Sequence, residues 1–355
     1  MSDAFRTLRP ISLRQWGHGT RPLPAAVETS VICPMPMLLD DSDIKLFLGA
    51  RPRQPHYTLP LEQSGFDILR NALVVGGKLT VVSVDDHVFF ETYWDVRNLN
   101  DATFFRLRQT NPPIALMRQV QPSARLDRAI LLGNPMSGNY HHWVVNCLPR
   151  LRAAREYSDW PVLVQGPLSA FQRDALEAMG VKRIKLFDGG IWQVGELVIP
   201  ANGVFAPSEL RWVRDQLLRG FNIRPGKPRR LYFSRADAAV RRVTNETEVI
   251  ECLKRHGFEL LVLSTMPLRD QVQAFADAEI VTGPHGAGLT NIIFGDERQT
   301  LLELHPADQV NYCFWLTAGA MGQRYAFLSG KAVNTQRDMT IDIARLDQLV
   351  RRIIN

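Results

Sequence analysis

The sequence predicts an α/β protein: two Rossmann-like domains facing a cleft, preceded by a β-rich N-terminal extension. Three observations predict it. From about residue 128 onward, short apolar runs alternate with amphipathic helical stretches, as in parallel sheets covered by helices. The alternation is interrupted at the basic, Pro- and Gly-rich stretch NIRPGKPRR, residues 222–230, which reads as a linker. Ahead of it all, residues 51–125 read mostly as β, while residues 1–50 lack clear periodicity.

Composition sets the bounds. The chain has 355 residues, 45% of them apolar and 22% charged, which excludes wholesale disorder. A core of this size needs no disulfide or metal staple. No run of ~18 apolar residues suggests a membrane span, and MSDAFRTLRPISLRQWGHGT at the start has no apolar segment of a secretory signal. Four cysteines, none at C-x-x-C spacing, fit a reducing, cytoplasmic setting. The net charge of +6 is modest and spread along the chain, unlike the basic stripe of a nucleic-acid binder. Most of the basic residues are arginines, which suit an anionic small substrate or an anionic membrane surface.

The elements follow in order. LVVGGKLTVVSVDDHVFFETYW predicts a hairpin at Gly76–Gly77. RAILLGN is a short buried strand, and YHHWVVNCLPRLRAAREY a helix that Pro149 should bend or break. VLVQG is a strand. SAFQRDALEAMG is a helix capped by Ser169 and stopped by Gly180. RIKLFDG and WQVGELVIP are strands, and SELRWVRDQLLRGF a helix. After the linker, strands RLYFS, ELLVLS, EIVTG, TLLEL and RYAFLSG alternate with helices, and IDIARLDQLVRRIIN closes the chain as an amphipathic helix. The expected division is an extension over 1–125, a first Rossmann-like domain over 126–225, a second over 226–340, and a final helix, 341–355, packing back on the first.

Three clusters could carry chemistry. In EIVTGPHGAGLTNIIF a strand runs into a Gly-rich loop and a helix start. His285, Gly286, Ala287 and Gly288 then sit where α/β sheets bind ligands, with backbone N–H groups free for phosphate. The spacing is neither G-x-G-x-x-G nor a P-loop. A tight packing turn is the plainer alternative. In LYFSRADAAVRRVTNETEV, Arg235 lies just past a strand, with Arg241 and Arg242 in the following loop. Two or three arginines there would make a diphosphate pocket, or merely a solvated basic loop. Asn245 and Glu248 have the spacing of a helix cap and its partner. In GNYHHWVVNCLPRL, His141 and His142 open a helix after a strand. The helix dipole disfavours a cation at such a place, so a histidine there is able to accept a proton. Asn146 lies one turn beyond His142 on the same face. Glu303, ending the strand TLLEL, could meet ribose hydroxyls or simply be a surface carboxylate. Asp41–Asp43 has D-x-D form but adjoins no strand, which speaks against a metal role.

These three clusters, in this order, resemble glycosyltransferase family 61, the DUF563-type proteins. That family includes bacterial polysaccharide-biosynthesis proteins and eukaryotic xylosyl-, arabinosyl- and N-acetylglucosaminyltransferases. The resemblance rests on GNYHHWVVNCLPRL, on YFSR…RRVTNE and on GPHGAGLTNIIF followed by LLEL, and covers about residues 128–330. It implies a GT-B architecture and inverting transfer without a metal ion or other cofactor. The donor would be a nucleotide-sugar such as a UDP-sugar, the acceptor a glycan or lipid-linked saccharide in cell-surface polysaccharide synthesis. The setting would be cytoplasmic, peripheral on the inner membrane. The donor site would comprise Arg235, Arg242, Asn245, Glu246, His285, Gly286, Ala287, Gly288, Asn291 and Glu303. Tyr140, His141 and Arg150 would be acceptor-side. Relatives often carry Asp or Glu where this chain has Asn146, so His142 becomes the expected base, with Asn146 holding an acceptor hydroxyl. A non-catalytic sugar-nucleotide-binding relative, and a nicotinamide oxidoreductase on the same fold class, are the alternatives.

Overall fold

The computed structural model describes residues 5–16, 21–22, 28–49, 54–61, 64–95, 99, 103–107, 114–117, 121–201, 204–308 and 310–355. The chain divides into two compact units. One is Met1–Val27 with Glu62–Val204, the other Glu28–Leu61 with Phe205–Asn355. Both are α/β.

In the first unit, the apolar runs recognised in sequence form parallel strands in the order Ile184–Phe187, Val162–Gln165, Ala124–Leu131, Ile191–Ala201. Numbered along the chain this is 3-2-1-4, the first four strands of the Rossmann order, which reverses beside Ala124–Leu131. The helix Ala170–Ala178 has Gln172 Oε1 accepting from the Ser169 N–H at 2.9 Å, and Gly180 ends it at φ 74°. The hairpin at Gly76–Gly77 is present, with Val75 opposite Thr80.

The N-terminal β region is not a separate extension. Ile191–Ala201 pairs antiparallel with Gly65–Val75 over a register running from Ile191–Val75 to Ala201–Gly65. Thr80–Val82, His87–Phe89, Phe5–Ile11, Ile114–Met117 and Phe105–Leu107 continue the same sheet. Leu69, Val74 and Val81 share one core with Leu131, Leu163 and Leu197. Burying that shared apolar face is what joins the two blocks.

In the second unit the parallel order is Phe258–Leu261, Arg229–Phe233, Ala278–Pro284, Thr300–Pro306, Arg324–Ala332. This is 2-1-3-4-5, the flavodoxin-like order, and its switch point lies between Arg229–Phe233 and Ala278–Pro284. Three expectations on domain limits are corrected here. Residues 222–228 form a loop inside this unit rather than a linker, because the helix Pro207–Gly220 already belongs to it. Residues 28–61 join it as well, and Met37–Leu38 pairs parallel with Arg324–Ala332. The final helix, Ile343–Ile354, buries Leu346, Leu349, Val350 and Ile353 against Val249, Cys252 and Leu328 of the same unit. Their i, i+3, i+4, i+7 spacing is the apolar stripe read from sequence. No helix among the described residues is long and apolar enough to cross a membrane.

Candidate functional site

The switch point of the second unit holds the strongest cluster. Strand Arg229–Phe233 ends one residue before Ser234, and Arg235 follows. Strand Ala278–Pro284 delivers His285 and Gly286, and a 3-10 helix, Ala287–Phe294, begins next. Gly286 is needed for approach, not for its φ: a Cβ there would stand 2.5 Å from Arg235 Cζ. Gly283 and Gly288 are small for packing, against Phe233 and Leu263. The N–H groups of Ala287 and Gly288 open the helix without a backbone partner among the described residues.

Arg235 Nη2 donates to the Val240 carbonyl at 3.2 Å, while its Nε is buried without an acceptor among the described residues. Burial, and then the charge of Arg241, push Arg235 below its ordinary range. An unpaired buried donor is costly, so the arrangement favours an anion arriving at this point.

His285 is 4% exposed and its Nδ1 hydrogen-bonds Glu303 Oε1. Glu303 is fully buried, and its other oxygen accepts from Tyr325 OH at 2.6 Å. Burial and the charge of Glu303 push the Tyr325 hydroxyl far up, which keeps it a donor. Glu303 therefore orients His285, with each of its oxygens engaged by a protein donor. His305 packs its ring 4.6 Å from that of His285. Its Nε2 accepts the Asn311 N–H at 3.2 Å and its Nδ1 donates to Pro306 O at 3.0 Å. That is a fixed neutral tautomer, and burial pushes it further down.

Other expected donor-site residues are held elsewhere. Arg242 forks onto Asp338 at 2.7 and 3.1 Å. Asn245 spends both ends of its amide on the Ile341 backbone, at 2.9 Å each, and does not cap the helix Glu246–Lys254. The side chain is held at both ends by the backbone just past the strand Met339–Thr340. Glu246 accepts from Tyr232 OH and Ser234 Oγ at 2.7 and 2.9 Å. Asn291 is buried and donates to Gln271 at 3.0 Å.

In the first unit the expected helix is broken as Pro149 requires. After Tyr140–His142 it widens to a π-turn over Trp143–Cys147, where the Leu148 N–H reaches back to Trp143 O at 2.9 Å. Asn139 caps the start, accepting from the His141 and His142 N–H groups. His142 Nδ1 lies 2.8 Å from Asn146 Oδ1. A carbonyl oxygen only accepts, so Nδ1 carries the proton and the Nε2 lone pair of the neutral ring is available. Asn146 Oδ1 is thus turned to His142. The His141 and His142 rings lie 5.4 Å apart, and Trp94 packs edge-on to His142 at 5.6 Å. Tyr140 packs on Phe171, and burial pushes its hydroxyl up. Arg150 is 2% exposed and donates to the Gly133 carbonyl at 2.9 Å, supporting the loop from inside.

Two groups gather atoms that metals favour: His285, Glu303 and His305, and Cys252, His256 and Asp347. In both, the ligand atoms already face N–H donors. Asn311 N–H occupies His305 Nε2, and Arg351 and His256 both pair with Asp347. Asp43, of the D-x-D stretch, is fully buried and accepts from the Ser329 N–H at 3.1 Å while pairing with Arg345 at 2.8 Å. Asp40 caps the helix Asp41–Leu48.

Sequence reasoning missed Tyr325 and Trp94, which sit in segments without a motif. The glycosyltransferase 61 family model matches residues 140–302, the span from Tyr140 to the residue before Glu303. A beta-1,2-xylosyltransferase of Arabidopsis thaliana is 28% identical over 125 residues, 32% of this chain and 23% of that protein. The chain thus matches about a quarter of its relative's length. A diflavin flavoprotein A3 from Nostoc sp. is similar in structure at 10% identity, covering 37% of this chain and 97% of that one, with a TM-score of 0.25. A likeness that slight carries no argument.

Proposed function

We propose that this chain, which belongs to the glycosyltransferase 61 family, is an inverting, metal-independent glycosyltransferase. It moves a sugar from a nucleotide-sugar, a UDP-sugar in our reading, to a glycan or lipid-linked saccharide. Its setting is cell-surface polysaccharide synthesis at the cytoplasmic face of a membrane. The second unit serves the donor and the first the acceptor, the division of labour of a GT-B enzyme.

The observation that carries the reading is the approach of Arg235 to the bare Cα of Gly286 at a sheet switch point, with Arg235 Nε buried and unpaired among the described residues. A diphosphate there would take the Arg235 fork and the Ala287 and Gly288 amides. These fixed donors meet the charge that grows on the leaving nucleotide as the glycosidic bond breaks. His142, with Nδ1–H held by Asn146, would take the proton of the attacking hydroxyl on Nε2. The xylosyltransferase name of the relative agrees with sugar transfer.

A thermal-shift screen against UDP-, GDP-, CMP- and dTDP-sugars tests the reading, since a ligand of the folded state raises apparent stability. One nucleotide should raise the melting temperature with and without EDTA. No shift with any of them would count against a donor site.

A further inference from the structure

We propose that Arg241, held in a strained left-handed conformation, is the second arginine of a nucleoside-diphosphate site, taking the place that the sequence suggests for Arg242. The inference rests on the donor-site reading above and names a residue within it.

Arg241 and Arg242 are neighbours of the same type, but the backbone sends them to different places. Arg241 has φ 60°, a region that side chains other than glycine and asparagine seldom adopt. Its N–H is fixed to Gln336 O at 3.0 Å, and Arg242 next to it is fixed to Asp338. Sterically unfavourable backbone of this kind concentrates where a ligand is clamped.

Among the described residues the side chain makes no hydrogen bond or ion pair, and Glu303 favours its charge only through space. Its Nε is buried without an acceptor among the described residues. Burial comes first in pushing its guanidinium below the ordinary range, and the charge of Arg337 comes next. Arg241 in turn disfavours the charge on Arg235. Three of the carboxylates nearby are already taken. Glu303 serves His285 and Tyr325, Asp338 serves Arg242, and Asp308 serves Arg337. A half-buried cation beside like charges, with Glu303, Asp338 and Asp308 engaged elsewhere, is suited to an anion from outside. A diphosphate offers two phosphates to two guanidinium forks, Arg235 and Arg241.

The test is calorimetric titration of the full chain with UDP, GDP and dTDP, alongside thermal melting. Arg241→Gly removes the fork and accommodates the left-handed φ. It should weaken the nucleotide that the wild type binds by about 10-fold or more, with a melting temperature equal to or above the wild type's. Arg241→Asn, the next most tolerant residue at such a φ, should show the same loss of affinity. Arg242→Ala should melt earlier and keep its affinity. Wild-type affinity in Arg241→Gly and Arg241→Asn overturns the assignment alone, as does a fall in melting temperature in both variants, which would make Arg241 a structural residue. A wild type that binds none of the three nucleotides overturns the donor-site reading and the assignment with it.

Discussion

The guanidinium of Arg235 rests against the Cα of Gly286, so closely that a methyl group on Gly286 would stand 2.5 Å from Arg235 Cζ. The two residues come from strands adjacent in the sheet, at the point where strand order reverses. Gly286→Ala should therefore push Arg235 aside with little effect on the fold, because the displaced group is the end of a flexible side chain. Losing one charge-assisted contact costs about 1.5–3 kcal/mol, a fall of at least ~10-fold in nucleotide affinity by calorimetry. Unchanged affinity would show that Arg235 does not touch the ligand.

Asn146 and His142 make the second testable pair. His142→Ala should lower turnover roughly 100-fold or more, with nucleotide binding nearly intact. Asn146→Asp should be neutral or harmful, since a carboxylate at this buried position would hold the imidazole as a cation that cannot take a proton. A single-turnover assay decides: a large gain in Asn146→Asp with little loss in His142→Ala would overturn the assignment of the base.

Glu303 is buried and orients His285, and our reading gives it no ribose contact. Glu303→Gln should then leave the affinity ratio between UDP and its 2′,3′-dideoxy analogue as it is in the wild type, while turnover falls. Collapse of that ratio to about one would restore the ribose contact.

Acid should loosen the second unit through Asp338. The Arg242 side chain, then the Arg242 N–H, hold its carboxyl down to about 2, from the ordinary 3.8. Its folded value lies below the unfolded one, so its contribution is complete above about pH 4 and is lost as pH falls toward 2. Melting curves should fall through that window, and Asp338→Asn should flatten the slope. An unaltered slope would remove Asp338 from the account.

Much of the fold was legible because short apolar runs and amphipathic helices repeat locally. The pairing of Gly65–Val75 with Ile191–Ala201 was not, since strands far apart in sequence leave no local mark of which partner they choose. The return of residues 28–61 to the second unit was hidden for the same reason. Within the site, Arg235, His285 and Gly286 announced themselves by position at strand ends. Arg241 and Arg242 could not be told apart, because a single backbone φ decides which turns inward. Glu303 was found, but its role depended on Tyr325, a strand residue that carries no signature of its own.

Release of labelled sugar from a nucleotide-sugar that the chain binds, measured in EDTA for the wild type and Arg235→Ala, tests the central claim most directly. The account predicts transfer to a saccharide acceptor by the wild type without added metal, and its loss in Arg235→Ala. Transfer that survives unchanged in Arg235→Ala, or no release from any donor that binds, would contradict it.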